Sequence, residues 1–141
     1  EAAGGIYLDC DFWPARETLA FEALLPMTGL CTMAEDVPRL TGKGSLLLAN
    51  SFIAVPAGHP VMVHLNAVLP RVVAEMPKAP AWWATGPLIF TLVARCGAVA
   101  LAGDGMVAGT LAQGAPLAEA EAYSRANEAA GGGLLLAWKS W

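Results

Sequence analysis

The sequence predicts a folded α/β domain with a partly parallel sheet; one observation predicts the α/β class and a second predicts that the chain folds. Segments with strand character alternate with helical segments along the chain, which is typical of strand–helix–strand units. Hydrophobic residues make up 56% of the 141 residues, while charged residues make up 14%, against about 25% in an average soluble domain. This composition predicts a folded chain and excludes a disordered one. The length predicts a single domain, residues 1–141, with one core.

The first predicted strand covers residues 6–12, which follow two glycines and are rich in β-branched and aromatic side chains. Successive side chains of a strand point to opposite faces, so Tyr7, Asp9 and Asp11 are expected to share one face. Pro14 is expected to close this strand. The segment 16–25 then predicts a short helix or turn before the next proline.

The centre of the chain predicts a buried strand followed by helices. Residues 45–55 form a nearly continuous apolar run, which predicts a strand that presents Asn50 at an edge or pocket. Apolar residues over 61–75 recur at nearly helical spacing, although Pro70 predicts a kink or a break there. The mixed segment 28–44 predicts mostly loop with a short strand.

The last third of the chain continues the alternation of helix and strand. An apolar helix is expected over 88–95 and a strand over 98–102. Residues 118–130 have high helix propensity and stop at three glycines, which are typical of a helix end. Residues 134–141 predict a strand or an extended tail.

Charge excludes one class of function, and the distribution of apolar residues argues against a membrane span. The net charge is −4 and no cluster of lysines and arginines occurs, which excludes a nucleic-acid binder. The most apolar segment, 86–103, contains Arg95 near its centre, which favours a buried helix and strand over a membrane span.

The surplus of apolar residues predicts a surface covered by a partner chain or by an N-terminal segment missing here. Three cysteines, Cys10, Cys31 and Cys96, match no metal or redox spacing; they allow at most one disulfide, and we expect free buried thiols.

Asp9 and Asp11 are the leading candidates for chemistry. Two carboxylates at positions i and i+2 of a strand point the same way, which suits a Mg²⁺ or Mn²⁺ ion held against phosphate oxygens. Such an ion would neutralise the charge that develops on a departing diphosphate. An isolated Asp-x-Asp is also typical of a solvated acidic turn, so the spacing alone leaves both interpretations open.

Four short blocks carry a resemblance to a known family. Residues 4–11, Gly-Gly-Ile-Tyr-Leu-Asp-Cys-Asp, resemble the Asp-x-Asp block of family-32 type glycosyltransferases, the sugar-binding region shared by mannosyltransferases and related galactosyltransferases. Residues 50–60, from an asparagine to a Gly-His-Pro turn, are similar to the second block. Residues 85–91, Thr-Gly-Pro with a later threonine, resemble the third, and residues 140–141, Ser-Trp, the last. The blocks occur in the family's order and span the chain.

The resemblance implies the C-terminal portion of a GT-A (Rossmann-like) glycosyltransferase fold, incomplete at the N-terminus. It implies a retaining transfer of mannose or galactose from a GDP- or UDP-hexose donor to a glycan or glycolipid acceptor, with Mn²⁺ or Mg²⁺ as cofactor. Asp11 would be the main metal ligand, and Asp9 would contact the donor and assist the metal; these two form the expected catalytic pair. The residues assigned to the nucleotide-sugar are Tyr7, Asp9, Asn50, Ser140 and Trp141.

The chain also departs from the family pattern. It begins only a few residues before Asp-x-Asp, and the segment 134–139 just before the terminal Ser-Trp lacks the histidine that many relatives carry there. Two alternatives therefore stand beside the enzyme: a non-catalytic nucleotide-sugar-binding or partner-binding remnant, and an incomplete product. His59 is expected to fix its turn by hydrogen bonding, while Trp82 and Trp83 are expected in a core or interface rather than stacked on a sugar. The resemblance implies the lumenal side of the Golgi membrane for a eukaryotic protein and the cytoplasm for a bacterial one.

Overall fold

A computed structural model describes residues 3–17, 29–35, 47–102 and 106–139 and shows a mixed α/β structure. The chain forms two compact units, one from Glu1–Tyr7 with Met27–Leu101 and the other from Leu8–Pro26 with Ala102–Trp141. Among the described residues each unit has its own cluster of buried apolar side chains, where the length predicted one core. The α/β class is confirmed, while the GT-A arrangement and the single-domain assignment stay predictions.

The strands and helices follow one another in a mixed order along the described chain. The strands are β1 (Gly5–Leu8), β2 (Phe12–Pro14), β3 (Leu30–Ala34), β4 (Leu48–Val55), β5 (Val99–Leu101), β6 (Val107–Leu111) and β7 (Leu135–Trp138). The helices are α1 (Pro60–Glu75), α2 (Ala81–Ala84), α3 (Pro87–Ala94) and α4 (Leu117–Ala130). No helix in these described ranges is both long enough and apolar enough to cross a membrane.

The first unit contains a four-stranded sheet in the order β1-β4-β3-β5. Strand β3 is antiparallel to β4 and parallel to β5. Helices α1 and α3 bury their apolar faces against this sheet because their buried residues recur every three or four positions, as at Val61 and Leu65 on α1 and at Phe90 and Val93 on α3. These side chains form one cluster with Leu30 of β3 and with apolar residues of β4.

Helix α1 runs without a break through Pro70 to Glu75. Of the kink or break predicted at this proline, the break is therefore wrong. A proline inside a helix removes one backbone hydrogen bond, and Pro70 lies at an exposed position where its ring meets solvent. The apolar side chains of the first two turns hold the helix on the sheet, and tertiary packing outweighs the local cost.

The second unit contains a three-stranded sheet in the order β2-β7-β6. Strands β6 and β7 are parallel neighbours joined by α4, which is the strand–helix–strand unit that the sequence predicts. Strand β2 pairs with β7 in the antiparallel direction. The rings of Trp13 and Trp138 meet edge to face, with centroids 6.2 Å apart. Helix α4 ends at Gly131, whose φ of 67° lies in the left-handed region.

The continuous strand predicted over residues 6–12 is wrong. Strand β1 ends at Leu8, and β2 begins at Phe12. The Phe12 N–H donates a hydrogen bond to the Asp9 carbonyl over 3.3 Å, so the residues between the strands form a turn. Aspartate is depleted in strands and common in turns, and this local preference redirects the chain into the second sheet.

Several other expectations meet the structure directly. Helix α2 and strand β6 were not predicted, while the helices near 61–75, 88–95 and 118–130 are confirmed. The helix or turn predicted over 16–25 lies almost wholly outside the described residues.

The three cysteines are free, as expected, but only Cys31 is buried; Cys10 and Cys96 are exposed. The expectation of buried thiols is therefore wrong for these two, since both lie in turns at the surface.

Candidate functional site

A cavity of about 400 Å³ opens in the first unit. Three sequence blocks contribute to its lining: the segment before and within β1, the segment from β4 to the start of α1, and the segment from Thr85 into α3. The volume lies within the range of small-molecule sites. The cavity therefore brings together three of the four blocks that carry the family resemblance.

The wall of the cavity is mostly apolar. Ile53, Leu65 and Phe90 are buried side chains of the core cluster and also line the cavity. Polar groups enter this surface at a few positions, namely Tyr7, Asn50, His59, Asn66 and Thr85. An apolar wall with a small number of polar side chains is the usual construction of a small-molecule site, because the apolar part excludes water and the polar groups orient the ligand.

Asn50 reaches the cavity because β4 bulges at this position. Thr32 of β3 pairs with Ile53, whereas Ala34 pairs with Leu48, so one residue of β3 lies opposite the four residues 49–52 of β4. Such an irregularity bends a strand and redirects its side chains. The strand predicted over 45–55 is confirmed, and Asn50 lies in it at a pocket. Within the described part of the chain, the Asn50 side-chain amide makes no hydrogen bond.

The third block shapes the backbone behind the cavity. A Cβ on Gly86 would lie 2.7 Å from the Trp82 carbonyl oxygen, so this position leaves no room for a side chain. Pro87 occupies the first turn of α3, where its missing N–H costs nothing. The buried Thr91 hydroxyl donates to the Pro87 carbonyl over 2.6 Å and accepts the Leu48 N–H over 2.7 Å. The Thr-Gly-Pro block with its later threonine therefore joins α3 to β4.

The first block meets the second at a point of close backbone approach. Gly4 has a φ of 64°, and a Cβ at this position would lie 2.5 Å from the Ala57 backbone nitrogen and 2.8 Å from the Pro56 carbonyl carbon. Both the backbone conformation and the lack of space require glycine here. This contact sets the segment before β1 against the turn that follows β4.

His59 caps helix α1. Its Nδ1 accepts the Val61 N–H over 3.3 Å, and Pro60 follows in the first turn of the helix. The predicted role of His59, hydrogen bonding that fixes the Gly-His-Pro turn, is confirmed. Because Nδ1 accepts this bond, the neutral imidazole carries its proton on Nε2. His59 also lines the cavity.

Asp9 and Asp11 belong to the second unit, while Tyr7 and Asn50 belong to the first. The two aspartates flank the exposed Cys10 in the turn between β1 and β2. Asp9 and Asp11 do not lie on one continuous strand. The expectation that both carboxylates point to the same face of a strand is therefore wrong. The Asp11 carbonyl accepts the Trp138 N–H over 2.8 Å, which ties the turn to the end of β7.

The described residues contain no group of three or more histidine, cysteine, aspartate or glutamate side chains able to hold a metal ion. The two aspartates of the turn are the carboxylates that the resemblance assigns to a metal. This set fits a hard cation of the Mg²⁺ kind, which keeps several waters and is bound through one or two carboxylates together with substrate phosphates. Ser140 and Trp141, expected to close over the diphosphate, lie outside the described residues.

Two residues near the cavity were missed from the sequence. Asn66 lines it from α1, one turn after Met62. The helical spacing of these two positions was available as a signal, because residues four apart share a helix face. Thr32 supports the β4 bulge from β3, and no sequence pattern marks it, since its partners are carbonyl groups about 20 residues away.

The chain matches no protein-family model, no curated protein sequence and no solved structure. The resemblance to the family-32 type glycosyltransferases therefore depends on the four sequence blocks.

Proposed function

We propose that the chain is the donor-binding part of a metal-dependent glycosyltransferase of the family-32 type, which moves a hexose from a GDP- or UDP-hexose to a glycan or glycolipid. One observation supports this most strongly. Residues from three separate blocks, each similar to a block of that family, line a single cavity with Asn50 at its wall. Chance similarity of short segments gives no reason for the segments to meet in space.

The chemistry of the cavity suits a sugar bound through a few directed hydrogen bonds. Asn50 offers both a carbonyl acceptor and an amide donor, so it can bond to a hydroxyl in either direction. The Tyr7 ring and the apolar wall formed by Ile89 and Met62 offer surface for the C–H face of a hexose. These residues would hold and orient the donor sugar.

Asp9 and Asp11 would hold the divalent cation in the turn after β1. The cation, when bound, would supply Lewis-acid neutralisation of the departing diphosphate. The chain contributes the anchoring of this turn: the Asp9 carbonyl accepts the Phe12 N–H, and the Asp11 carbonyl accepts the Trp138 N–H. Backbone bonds of this kind keep the two carboxylates from moving with a loose loop.

Thermal unfolding with Mn²⁺ and UDP, GDP or their hexose conjugates tests the proposal. Ligand at about 100 times its dissociation constant adds about 2.7 kcal/mol to the free energy of unfolding. We expect a stabilisation that requires Mn²⁺ and is lost in Asp11→Asn. Glu121→Gln, an exposed carboxylate on α4, is the matched control and should leave the stabilisation intact. No stabilisation of the unmodified chain by any of these ligands would contradict the proposal.

The cysteines give a second, local readout. Cys10 lies between the two aspartates and is exposed, while Cys96 is exposed in the other unit. Metal and nucleotide bound at the aspartates should slow alkylation of Cys10 by iodoacetamide at least fivefold and leave Cys96 unchanged. Equal rates at Cys10 with and without ligand would place binding elsewhere.

A turnover assay distinguishes the enzyme from the alternative, a non-catalytic binder of nucleotide-sugars. The same cavity could bind a nucleotide-sugar without transferring it, because no described residue other than the aspartates is assigned to the reaction. Metal-dependent binding with neither transfer to an acceptor nor slow hydrolysis of the donor would favour this alternative over the enzyme.

A further inference from the structure

We propose that Thr32 and Thr91 are positioning residues that hold the β4 bulge, residues 49–52, and thereby fix Asn50 at the cavity. The proposal has two parts. The effect of the two threonines on hexose binding rests on the proposed function, whereas their effect on the conformation of the bulge rests on the hydrogen bonds alone.

Thr32 holds both ends of the bulge from β3. Its side chain is fully buried. Its hydroxyl donates to the Ala49 carbonyl and lies 3.0 Å from the Phe52 carbonyl oxygen. These carbonyls belong to the first and last of the four bulged residues. Because Met33 alone lies opposite the bulge on β3, regular strand pairing cannot satisfy all four bulged residues, and the Thr32 hydroxyl supplies part of the missing bonding.

Thr91 holds the residue just before the bulge. Its side chain is almost fully buried on α3. The hydroxyl accepts the Leu48 N–H over 2.7 Å and donates to the Pro87 carbonyl over 2.6 Å, so one side chain bonds two segments of backbone at once. Leu48 immediately precedes the bulge. The bulge is therefore tied to β3 on one side and to α3 at its start.

Asn50 depends on these bonds for its place. Its own side-chain amide makes no hydrogen bond within the described residues, so its position follows from the backbone that carries it. Replacing either threonine by valine keeps the volume and removes the hydroxyl. The buried carbonyls or the Leu48 N–H then lose a partner, and the bulge must rearrange to recover one.

Two measurements test the proposal together. The first compares dissociation constants for Mn²⁺-UDP and Mn²⁺-UDP-hexose, or the GDP pair, in Thr32→Val, Thr91→Val and Asn50→Ala. We expect each variant to weaken hexose-nucleotide binding about fivefold, the range of one hydrogen bond, and to change binding of the nucleotide alone less than twofold. The serine variants Thr32→Ser and Thr91→Ser keep the hydroxyl and should restore binding. Thr110→Val, an exposed threonine on β6, is the control.

The double variant Thr32→Val with Asn50→Ala separates positioning from general destabilisation. If Thr32 acts through Asn50, the double variant binds no more than twofold worse than Asn50→Ala. If the losses of affinity of the two single variants multiply in the double variant, the proposal is overturned. It is also overturned if the variants weaken binding of the nucleotide alone as much as binding of the nucleotide-hexose. Should Thr32→Val fail to fold, Thr91→Val combined with Asn50→Ala makes the same comparison from Leu48, just before the bulge.

The second measurement needs no ligand. Amide hydrogen exchange over residues 48–52, which include the Leu48 N–H bonded to the Thr91 hydroxyl, should accelerate at least about tenfold in the valine variants, while α4 exchanges as before. Unchanged exchange over the bulge would overturn the proposal. If the unmodified chain binds no nucleotide-sugar, the proposed function fails, and this exchange measurement still decides whether the threonines hold the bulge.

Discussion

Gly4→Ala and Gly58→Ala form a matched pair that measures the backbone contact between the first two sequence blocks. Both glycines have left-handed φ values, 64° and 66°. A Cβ on Gly58 would have nothing within 4 Å, whereas a Cβ on Gly4 would lie 2.5–2.9 Å from the backbone of residues 55–57. Gly58→Ala should therefore cost only the conformational penalty of a left-handed residue, about 1 kcal/mol. Gly4→Ala adds an overlap with backbone atoms, which costs a further 1–3 kcal/mol, about 3 kcal/mol in total.

Urea unfolding followed by circular dichroism, with the two variants measured side by side, gives the difference. Because the conformational term is common to both variants, the difference isolates the close approach of the backbones. We expect about 2 kcal/mol. Variants that agree within about 0.5 kcal/mol would refute the contact of Gly4 with residues 55–57, and with it the wall of the cavity that this contact builds.

Three further outcomes follow from the core and the thiols. Phe90→Ala removes a buried ring from α3 and should cost about 3–5 kcal/mol in urea unfolding, against under 1 kcal/mol for Leu92→Ala, which is exposed on the same helix. Thiol titration at pH 8 should count two reactive cysteines in the folded chain and three after unfolding, because only Cys31 is buried. Burial raises the pKa of the Cys31 thiol above its ordinary value of 9.0. Below pH 9 the thiol is protonated in both the folded and the unfolded chain, and the buried group keeps its full contribution to the free energy of unfolding. That contribution is lost as the pH rises from 9 through the higher folded-state pKa, because the unfolded chain releases the proton first. The free energy of unfolding should therefore fall more steeply above pH 9 in the unmodified chain than in Cys31→Ala.

The sequence predicted the elements whose signals are local. Helix α4 has strong propensity and a glycine end, and the apolar run of β4 is long enough to mark a buried strand. The turn at His59 was also predicted, since a Gly-His-Pro sequence defines its own backbone. In each case the deciding interactions lie within a few residues of one another, so the sequence pattern contains them.

The features that the sequence missed depend on distant partners. The end of β1 at Leu8 follows from the turn after it and from the pairing of β2 with β7, more than 120 residues away. The β4 bulge follows from Thr32, which hydrogen-bonds to carbonyls 17 and 20 residues further on. Periodicity describes one segment at a time, so it places Asn50 in a strand and does not reveal the bulge that carries it.

The residues around the cavity have different structural roles, which decides where substitutions could change the ligand that it binds. Gly4, Gly86 and Thr91 act through backbone geometry, and their replacement would alter the shape of the protein. Met62 and Ile89 contribute side-chain surface to the wall, pack at the edge of the core cluster and are partly exposed. A library of variants randomised at these two positions would therefore sample new ligand preferences on an intact scaffold, whereas a library at the glycines would mainly yield chains that fold poorly.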